Sequence, residues 1–249
     1  MLMKYTPLFF GALFSLLGPL NAQQNLAQIA PGAWRAHVPM NRCQSIDAGA
    51  NQLVLASQNG LWGYQFLDFE RVPYTTAEGF SSIQPSALRY HQTQNWWIAG
   101  YQDGQIDLIK NGKIKAFPDL LSAGISSSRK VQRIFVTQDS AWLACDFGLV
   151  LVDMRQEVIR NSVLFSDNPL FTGQQCVDFV TFQNFGYAAL SNGLYRFPLG
   201  ANFKNLTLWE KINDIGAGGV QSLAVYQNQL VYLKNDQTDS ILRWAPGQS

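Results

Sequence analysis

Hydrophobic and polar positions repeat along this chain at a nearly fixed period. Each repeat consists of a short apolar run, two to four intervening residues, a glycine and a second apolar run. The four turn glycines stand 44, 44 and 45 residues apart, and they are Gly60, Gly104, Gly148 and Gly193. A fixed period of this length is typical of repeat architectures. The repeat therefore indicates the fold class more strongly than any single motif.

Each of these glycines is predicted to mark a β-hairpin. Asn59, Asp103 and Asn192 precede three of them, and Asn-Gly or Asp-Gly between apolar runs is typical of a two-residue type I′ turn. Phe147 is the exception. A strand is predicted before each hairpin and a more polar strand, including residues 206–210 in the fourth repeat, is predicted after it. Four short strands per period predict an all-β protein, a β-propeller of four-stranded blades.

The period predicts about five blades over residues 23–249, with approximate boundaries at 34–74, 75–124, 125–165, 166–216 and 217–249. The fifth repeat lacks the turn glycine and has three predicted strands. Two arrangements are compatible with this count. A strand around residues 34–38 could become the outer strand of blade five and close a ring, or the blades could form an open arc.

The first 22 residues follow a different pattern. Lys4 is the single charged residue in this segment, residues 8–20 are almost wholly apolar, and Ala22 offers a small residue at the cleavage point. This is the pattern of a secretory signal peptide, and its apolar core is too short to span a bilayer as a stable helix. We predict that residues 1–22 are a signal peptide, that the mature chain is exported to the periplasm or the outer-membrane surface, and that it has no transmembrane span.

Charge and cysteine usage narrow the function classes. Removing Lys4 from the 18 basic residues leaves 17 against 17 acidic ones, and no basic run suggests a nucleic-acid partner. The spacing of Cys43, Cys145 and Cys176 fits no metal site and no redox pair. Cys145 and Cys176 are predicted to be small apolar residues in core strands.

Catalytic chemistry is not indicated. The chain has two histidines and contains no nucleophile elbow, zinc-protease, phosphate-loop or EF-hand motif. Aspartates recur at related positions of the repeats, which first suggests roles in turns and strands. We expect no enzyme activity, no cofactor and no metal site.

A binding face is predicted from the course of the chain. If each blade runs outward from the central channel, the hairpin turns and the long linkers at residues 74–84, 118–130 and 166–174 share one face. Loops at one rim of a rigid scaffold commonly carry recognition. The predicted binding residues are Phe80, Tyr101, Arg129, Lys130 and Asp146.

Several segments resemble the N-terminal propellers of the PorZ family, components of the Bacteroidetes type IX secretion system. Residues 34–41 and 56–64 resemble the start of the family's first blade, although Met40 stands where an aromatic is usual. Glu78-Gly79-Phe80-Ser81 is similar to its Asp-Gly-Leu-Ser, with Phe80 as a departure. The second and third blades carry the more specific matches, at residues 99–109 (AGYQDGQIDLI) and 144–153 (ACDFGLVLVD).

The resemblance implies a non-enzymatic scaffold of the secretion and attachment machinery. Its expected partners are PorU-, PorV- and PorQ-like proteins and anionic lipopolysaccharide. Because the family's propeller needs more than five blades, the resemblance favours the open arc, with self-association through the end blades. The alternative is the ligand-sensing periplasmic propeller of a hybrid two-component regulator, which uses a similar Asn-Gly-Leu hairpin. A lyase or glycosidase of the propeller type is disfavoured by the scarcity of histidine.

Overall fold

The computed structural model describes residues 42–92, 94–122, 124–234 and 241–244. Contacts divide the chain into Met1–His37 and Val38–Ser249, and every described residue belongs to the second unit. The predicted signal peptide and the predicted strand at 34–38 lie outside the described residues. No helix in the described part of the chain is long and apolar enough to cross a membrane.

Consecutive strands pair antiparallel to form one sheet, or blade, per repeat. Blade one has β1 (Cys43–Ala48), β2 (Gln52–Ser57), β3 (Gly60–Gln65) and β4 (Arg71–Tyr74), and blade two has β5 (Pro85–His91), β6 (Trp96–Tyr101), β7 (Ile106–Lys110) and β8 (Lys113–Phe117). Blade three has β9 (Val131–Val136), β10 (Ser140–Cys145), β11 (Gly148–Asp153) and β12 (Val158–Leu164). Blade four has β13 (Cys176–Phe182), β14 (Phe185–Leu190), β15 (Gly193–Pro198) and β16 (Glu210–Lys211), and blade five has β17 (Val220–Tyr226), β18 (Gln229–Lys234) and β19 (Ile241–Trp244).

Helical structure in the described ranges is confined to the segments that connect strands. A single α-helical turn, α1, covers Asp119–Ser122. Four 3₁₀ turns cover Thr76–Glu78, Phe165–Asp167, Leu206–Leu208 and Asn213–Ile215. The Thr76–Glu78 turn is held by a capping box, in which the Thr75 side chain accepts from the backbone and Glu78 reaches back to the Thr75 N–H.

The blades follow one another around a common axis. Their first strands β1, β5, β9, β13 and β17 lie side by side in chain order, whereas β17 makes no comparable contact with β1. Polar side chains link some neighbours: Asp47 accepts from the Tyr90 N–H at 2.8 Å, and Asp178 accepts from the Leu223 N–H at 2.8 Å. The described residues confirm an all-β propeller whose ring is open.

The hairpins are confirmed, but their predicted turn type is wrong. Ser57 pairs with Gly60, Cys145 with Gly148 and Leu190 with Gly193, so these glycines begin the third strand of their blades. Neither Asn59 nor Asn192 has the positive φ that a type I′ turn requires, and the position filled by Phe147 therefore needs no Asn or Asp. Gly148 is required for another reason, because a Cβ there would lie 2.0 Å from the carbonyl oxygen of Val163.

Type I′ geometry occurs in other turns of the chain. Within the described ranges, three two-residue turns have both central φ angles positive, and they are Asn111-Gly112, Gln183-Asn184 and Gln227-Asn228. Blade four departs from the prediction in another way, since residues 206–208 form a 3₁₀ turn and its outer strand is only Glu210–Lys211. The turn buries Leu206 and brings Trp209 onto the blade, where the Trp209 indole donates to the Phe203 carbonyl at 2.8 Å.

The hydrophobic cores lie mainly between neighbouring blades. Cys145 and Cys176 are fully buried free thiols in two of these cores, which confirms their predicted role, and burial raises the pKa of both. Cys43 is an exposed free thiol. The cores leave the start of each first strand facing the common axis, where the candidate site lies.

Candidate functional site

A β-bulge recurs at the same place in every blade. The second residue of each first strand is skipped in the pairing with the second strand, as seen where Cys43 pairs with Ser57 and Ser45 with Ala56. A bulge re-aims a side chain and is commonly found beside functional sites. The skipped residues are Gln44, Ser86, Gln132, Val177 and Gln221.

All five bulged residues line one cavity of about 540 Å³, which we call the axial mouth. Each blade contributes to its wall. The remaining lining residues come from hairpin turns, from the ends of the linkers and from the first strands β9 and β17, and they are Gln102, Lys130, Arg133, Gln175, Ser191, Gly219 and Val220. Carboxamides, which both donate and accept hydrogen bonds, therefore dominate the polar lining.

A repeated backbone hydrogen bond brings hairpin turns and linker ends together here. The first turn residue of a hairpin donates its N–H to the residue that precedes the first strand of the same blade. The four bonds are Gln58 to Arg42 at 3.3 Å, Gln102 to Gln84 at 3.0 Å, Asp146 to Lys130 at 3.0 Å and Ser191 to Gln175 at 3.1 Å. Turns and linkers thus share this face, as the course of the chain predicted.

Accessible charge in the axial mouth is positive. Lys130 is half-buried and Arg133 is exposed, and both line the cavity. Asp146 is only 7% exposed and accepts from the Gln132 carboxamide at 2.5 Å. Asp178 is also buried, and burial raises its pKa against the opposing effects of its hydrogen bonds and of Arg133. The carboxylates are thus held inside the blades, while the cations face the cavity.

The five predicted binding residues fall into two groups, three near one linker end and two in the core. Lys130 lines the axial mouth, and Asp146 supports it through Gln132. Arg129 is half-buried, donates to the Ile125 carbonyl at 3.3 Å and packs its Cβ over the turn at Gly104, whose φ is 87°. The structure brings Arg129, Lys130 and Asp146 together near one linker end.

The other two predicted binding residues belong to the core. Tyr101 has no exposed surface and donates its hydroxyl to Asp107 at 2.7 Å. Burial and the Asp107 carboxylate raise the pKa of Tyr101, which keeps the phenol protonated as a donor. Phe80 is buried in the core between blades one and two, 5.4 Å from the Tyr74 ring. Tyr101 therefore has no surface with which to contact a ligand in this conformation, whereas Phe80 keeps 7% of its surface exposed.

Sequence reasoning missed the bulged residues. A signal for them was present, because the second residue of each observed first strand recurs at spacings of 42, 46, 45 and 44 residues and is polar in four of five blades. Glutamine side chains form no recognisable sequence motif, so no single residue indicated a binding site at these positions. The alignment of the repeats was the only available route to them.

Solved structures with the same fold were found by structural comparison. PorZ, described as an essential surface component of the type IX secretion system of Porphyromonas gingivalis, has a TM-score of 0.73 at 16% identity, covering 85% of this chain and 29% of that one. The extracellular domain of a putative hybrid two-component system from B. thetaiotaomicron has a TM-score of 0.61 at 17% identity, with 82% and 27% covered. The Swd1 β-propeller domain of Myceliophteria thermophila has a TM-score of 0.58 at 12% identity, with 78% and 63% covered.

At these identities the structural matches establish the fold alone. The chain spans less than a third of the length of the PorZ and two-component structures. No curated protein matches the sequence significantly. A sequence profile described as the N-terminal β-propeller domain of PorZ, from the type IX secretion system (TSS9), matches residues 53–210, which is more than half of the 249 residues. The chain belongs to this family of PorZ N-terminal β-propeller domains.

Proposed function

We propose that this chain is an exported, non-enzymatic scaffold of the type IX secretion and attachment machinery. In this role the propeller holds PorU-, PorV- or PorQ-like partners, and its axial mouth binds the anionic glycan of a lipopolysaccharide. The family match over residues 53–210 is the observation that supports a role in type IX secretion. The ring of bulged residues with two accessible cations supports the ligand class.

The lining of the axial mouth fits an acidic glycan in two respects. Gln44 and Gln102 meet at 3.3 Å across the first two blades, and carboxamides of this kind bond sugar hydroxyls as donors or acceptors. Lys130 and Arg133 add positive charge, which attracts carboxylate or phosphate groups. A cavity of about 540 Å³ lies within the usual range for small-ligand sites.

The engagement of the aspartates supports a non-enzymatic role. Asp107 has no exposed surface and accepts from the Ser81 N–H at 2.8 Å and from Tyr101. Asp146 accepts from Gln132, and Asp178 accepts from Ser222 and Leu223 of the next blade. These carboxylates hold turns and neighbouring blades, so we propose that they stabilise the fold rather than carry out chemistry.

The test is binding of purified anionic lipopolysaccharide to the mature chain, residues 23–249, with the double variant Lys130→Gln, Arg133→Gln. We expect binding at least about tenfold weaker, together with a weaker salt dependence, because two cations leave the mouth. The matched control is Lys113→Gln, Lys115→Gln, which removes the same charge from two exposed positions of the outer strand β8. Equal affinity in the two double variants would remove the axial mouth from the proposal.

Export is tested separately. If residues 1–22 are a signal peptide, the chain produced with its own leader should be recovered outside the cytoplasm, with Gln23 as its first residue by N-terminal sequencing. Recovery of the full-length chain in the cytoplasm would contradict the localisation we propose, whatever the ligand result.

The propeller of a hybrid two-component regulator is the second candidate. Its support is the structural similarity to an extracellular domain of that class. The discriminating observation is the coding sequence that follows the codon for Ser249. A membrane span and a kinase there would favour the sensor, whereas further propeller repeats followed by neither would favour the secretion scaffold.

A further inference from the structure

A second cavity, independent of the axial mouth, lies between blades one and two. Its volume is about 490 Å³, and we call it the inter-blade cavity. Most of its wall is apolar, and the apolar lining residues are Val54, Leu61, Val72, Pro73 and Tyr74 from blade one, Phe80 from the linker, and Leu88, Trp97, Ile109 and Ile114 from blade two.

The cavity exists because the first linker fills its interface poorly. Phe80 is the buried hydrophobic side chain that this linker contributes to the core between blades one and two. The core between blades two and three receives Leu120 and Ile125 from linkers, and the core between blades four and five receives Ile212 and Ile215. The core between blades three and four receives Phe165 and Phe171 from its linker, and also Phe203, Leu206 and Trp209 from the β15–β16 connection inside blade four. Protein interiors are normally packed as densely as organic crystals, so a gap of this size is a local exception.

The chemistry of the lining restricts the occupant. Among the described residues, no Lys, Arg or His belongs to the lining, and Glu78, the only carboxylate among them, is bound to Thr75 in the capping box. The polar positions are carboxamides: Gln52 accepts from the Tyr74 hydroxyl at 2.7 Å, and Asn95 accepts from the Tyr90 hydroxyl at 2.6 Å. Burying a charged group here would leave it without a counter-ion, which is strongly unfavourable.

We propose that the inter-blade cavity is a binding site for an uncharged, mainly apolar small molecule. Its ring or chain would be buried among Leu61, Leu88 and Trp97, and a single polar group would lie beside the carboxamides. Concave, largely apolar cavities of this volume with a few placed polar groups are the usual form of small-molecule sites. Removal of the ligand's apolar surface from water supplies the driving force.

The test uses N-phenyl-1-naphthylamine, an uncharged aromatic fluorophore, titrated against the intact mature chain. We expect a saturable rise in fluorescence from the unaltered protein. Ile114→Trp, at a half-buried position on β8, places an indole in the cavity and should weaken binding at least about tenfold. Val72→Trp fills the cavity from β4 and serves as a second variant in case the first does not fold.

The matched control is Ile159→Trp, which makes the same substitution at a half-buried position of the outer strand β12, outside the cavity. It should bind the fluorophore as the unaltered protein does. A second probe, 1-anilinonaphthalene-8-sulfonate, keeps the aromatic body but adds a negative charge and should bind at least about tenfold more weakly. Absence of saturable binding, equal binding by folded Ile114→Trp or Val72→Trp, or no preference for the uncharged probe would each overturn the proposal.

Discussion

The core between blades three and four and the core between blades one and two are built on the same repeat but packed differently. In the former, the Trp142 ring lies 4.8 Å from Phe179, 5.0 Å from Phe203 and 6.0 Å from Phe197. In the latter, Tyr90 lies 4.7 Å from Trp97 and Tyr74 lies 5.4 Å from Phe80, and a cavity of about 490 Å³ remains. The strands of the two interfaces follow one pattern, so the difference comes from the segments that connect the strands.

The first linker is held by polar contacts, whereas the linker between blades three and four is held by aromatic packing of Phe165 and Phe171. Ser81 donates its N–H to Asp107 at 2.8 Å and its hydroxyl to the same carboxylate, while Tyr101 donates from the neighbouring strand. Such contacts fix the backbone of a linker without filling space. This difference shows that a blade interface can be ordered and still retain a cavity, because position and volume are determined by different side chains.

The largest expected effect comes from truncating an aromatic ring in each core. Trp142→Ala should lower the free energy of unfolding by about 3–5 kcal/mol, because it removes a ring that is packed on three others. Trp97→Ala should cost about 1–2 kcal/mol less, since part of the Trp97 surface already faces a cavity. Urea unfolding followed by far-ultraviolet circular dichroism measures both values. Equal costs would contradict the idea that the two cores differ in packing.

A smaller effect is expected from the polar anchor of the first linker. Tyr101→Phe removes one donor from the buried Asp107 carboxylate and should destabilise the protein by about 1–3 kcal/mol. The control, Tyr226→Phe, changes a tyrosine that is 64% exposed and should be nearly neutral. The same unfolding measurement applies. A neutral Tyr101→Phe would show that the linker does not depend on this contact.

The smallest effect tests the volume difference directly. Val54→Ile adds one methylene beside the inter-blade cavity and should stabilise the protein by about 0.5–1 kcal/mol. Val163→Ile adds the same group to the filled core between blades three and four and should destabilise it by about 1–3 kcal/mol. Thermal unfolding measures both variants, and we expect the midpoint to rise for Val54→Ile and to fall for Val163→Ile. The same sign for both would mean that the two cores tolerate volume alike.

Much of the fold was predictable because its information is local. Hydrophobic alternation and turn residues recur from blade to blade, and the four hairpins predicted at the turn glycines are all present. The predicted fourth strand at 206–210 failed because Leu206 and Trp209 pack against the adjacent core, and this contact outweighs local strand propensity. The candidate site was only partly predictable: Lys130 was recognised from its loop, whereas the glutamines of the axial mouth carry no motif.

The sequence by itself determined the period, the all-β class and the family, since these depend on residue order along single repeats. Only the tertiary structure decided which side chains are exposed and can contact a ligand. It buried Phe80 and Tyr101 in the core and brought five bulged residues, each from a different blade, to one axis. It also left one interface with a cavity, because packing depends on how linker side chains meet across blades that are distant in sequence. Burial and convergence arise from contacts between repeats, which the pattern within one repeat does not contain.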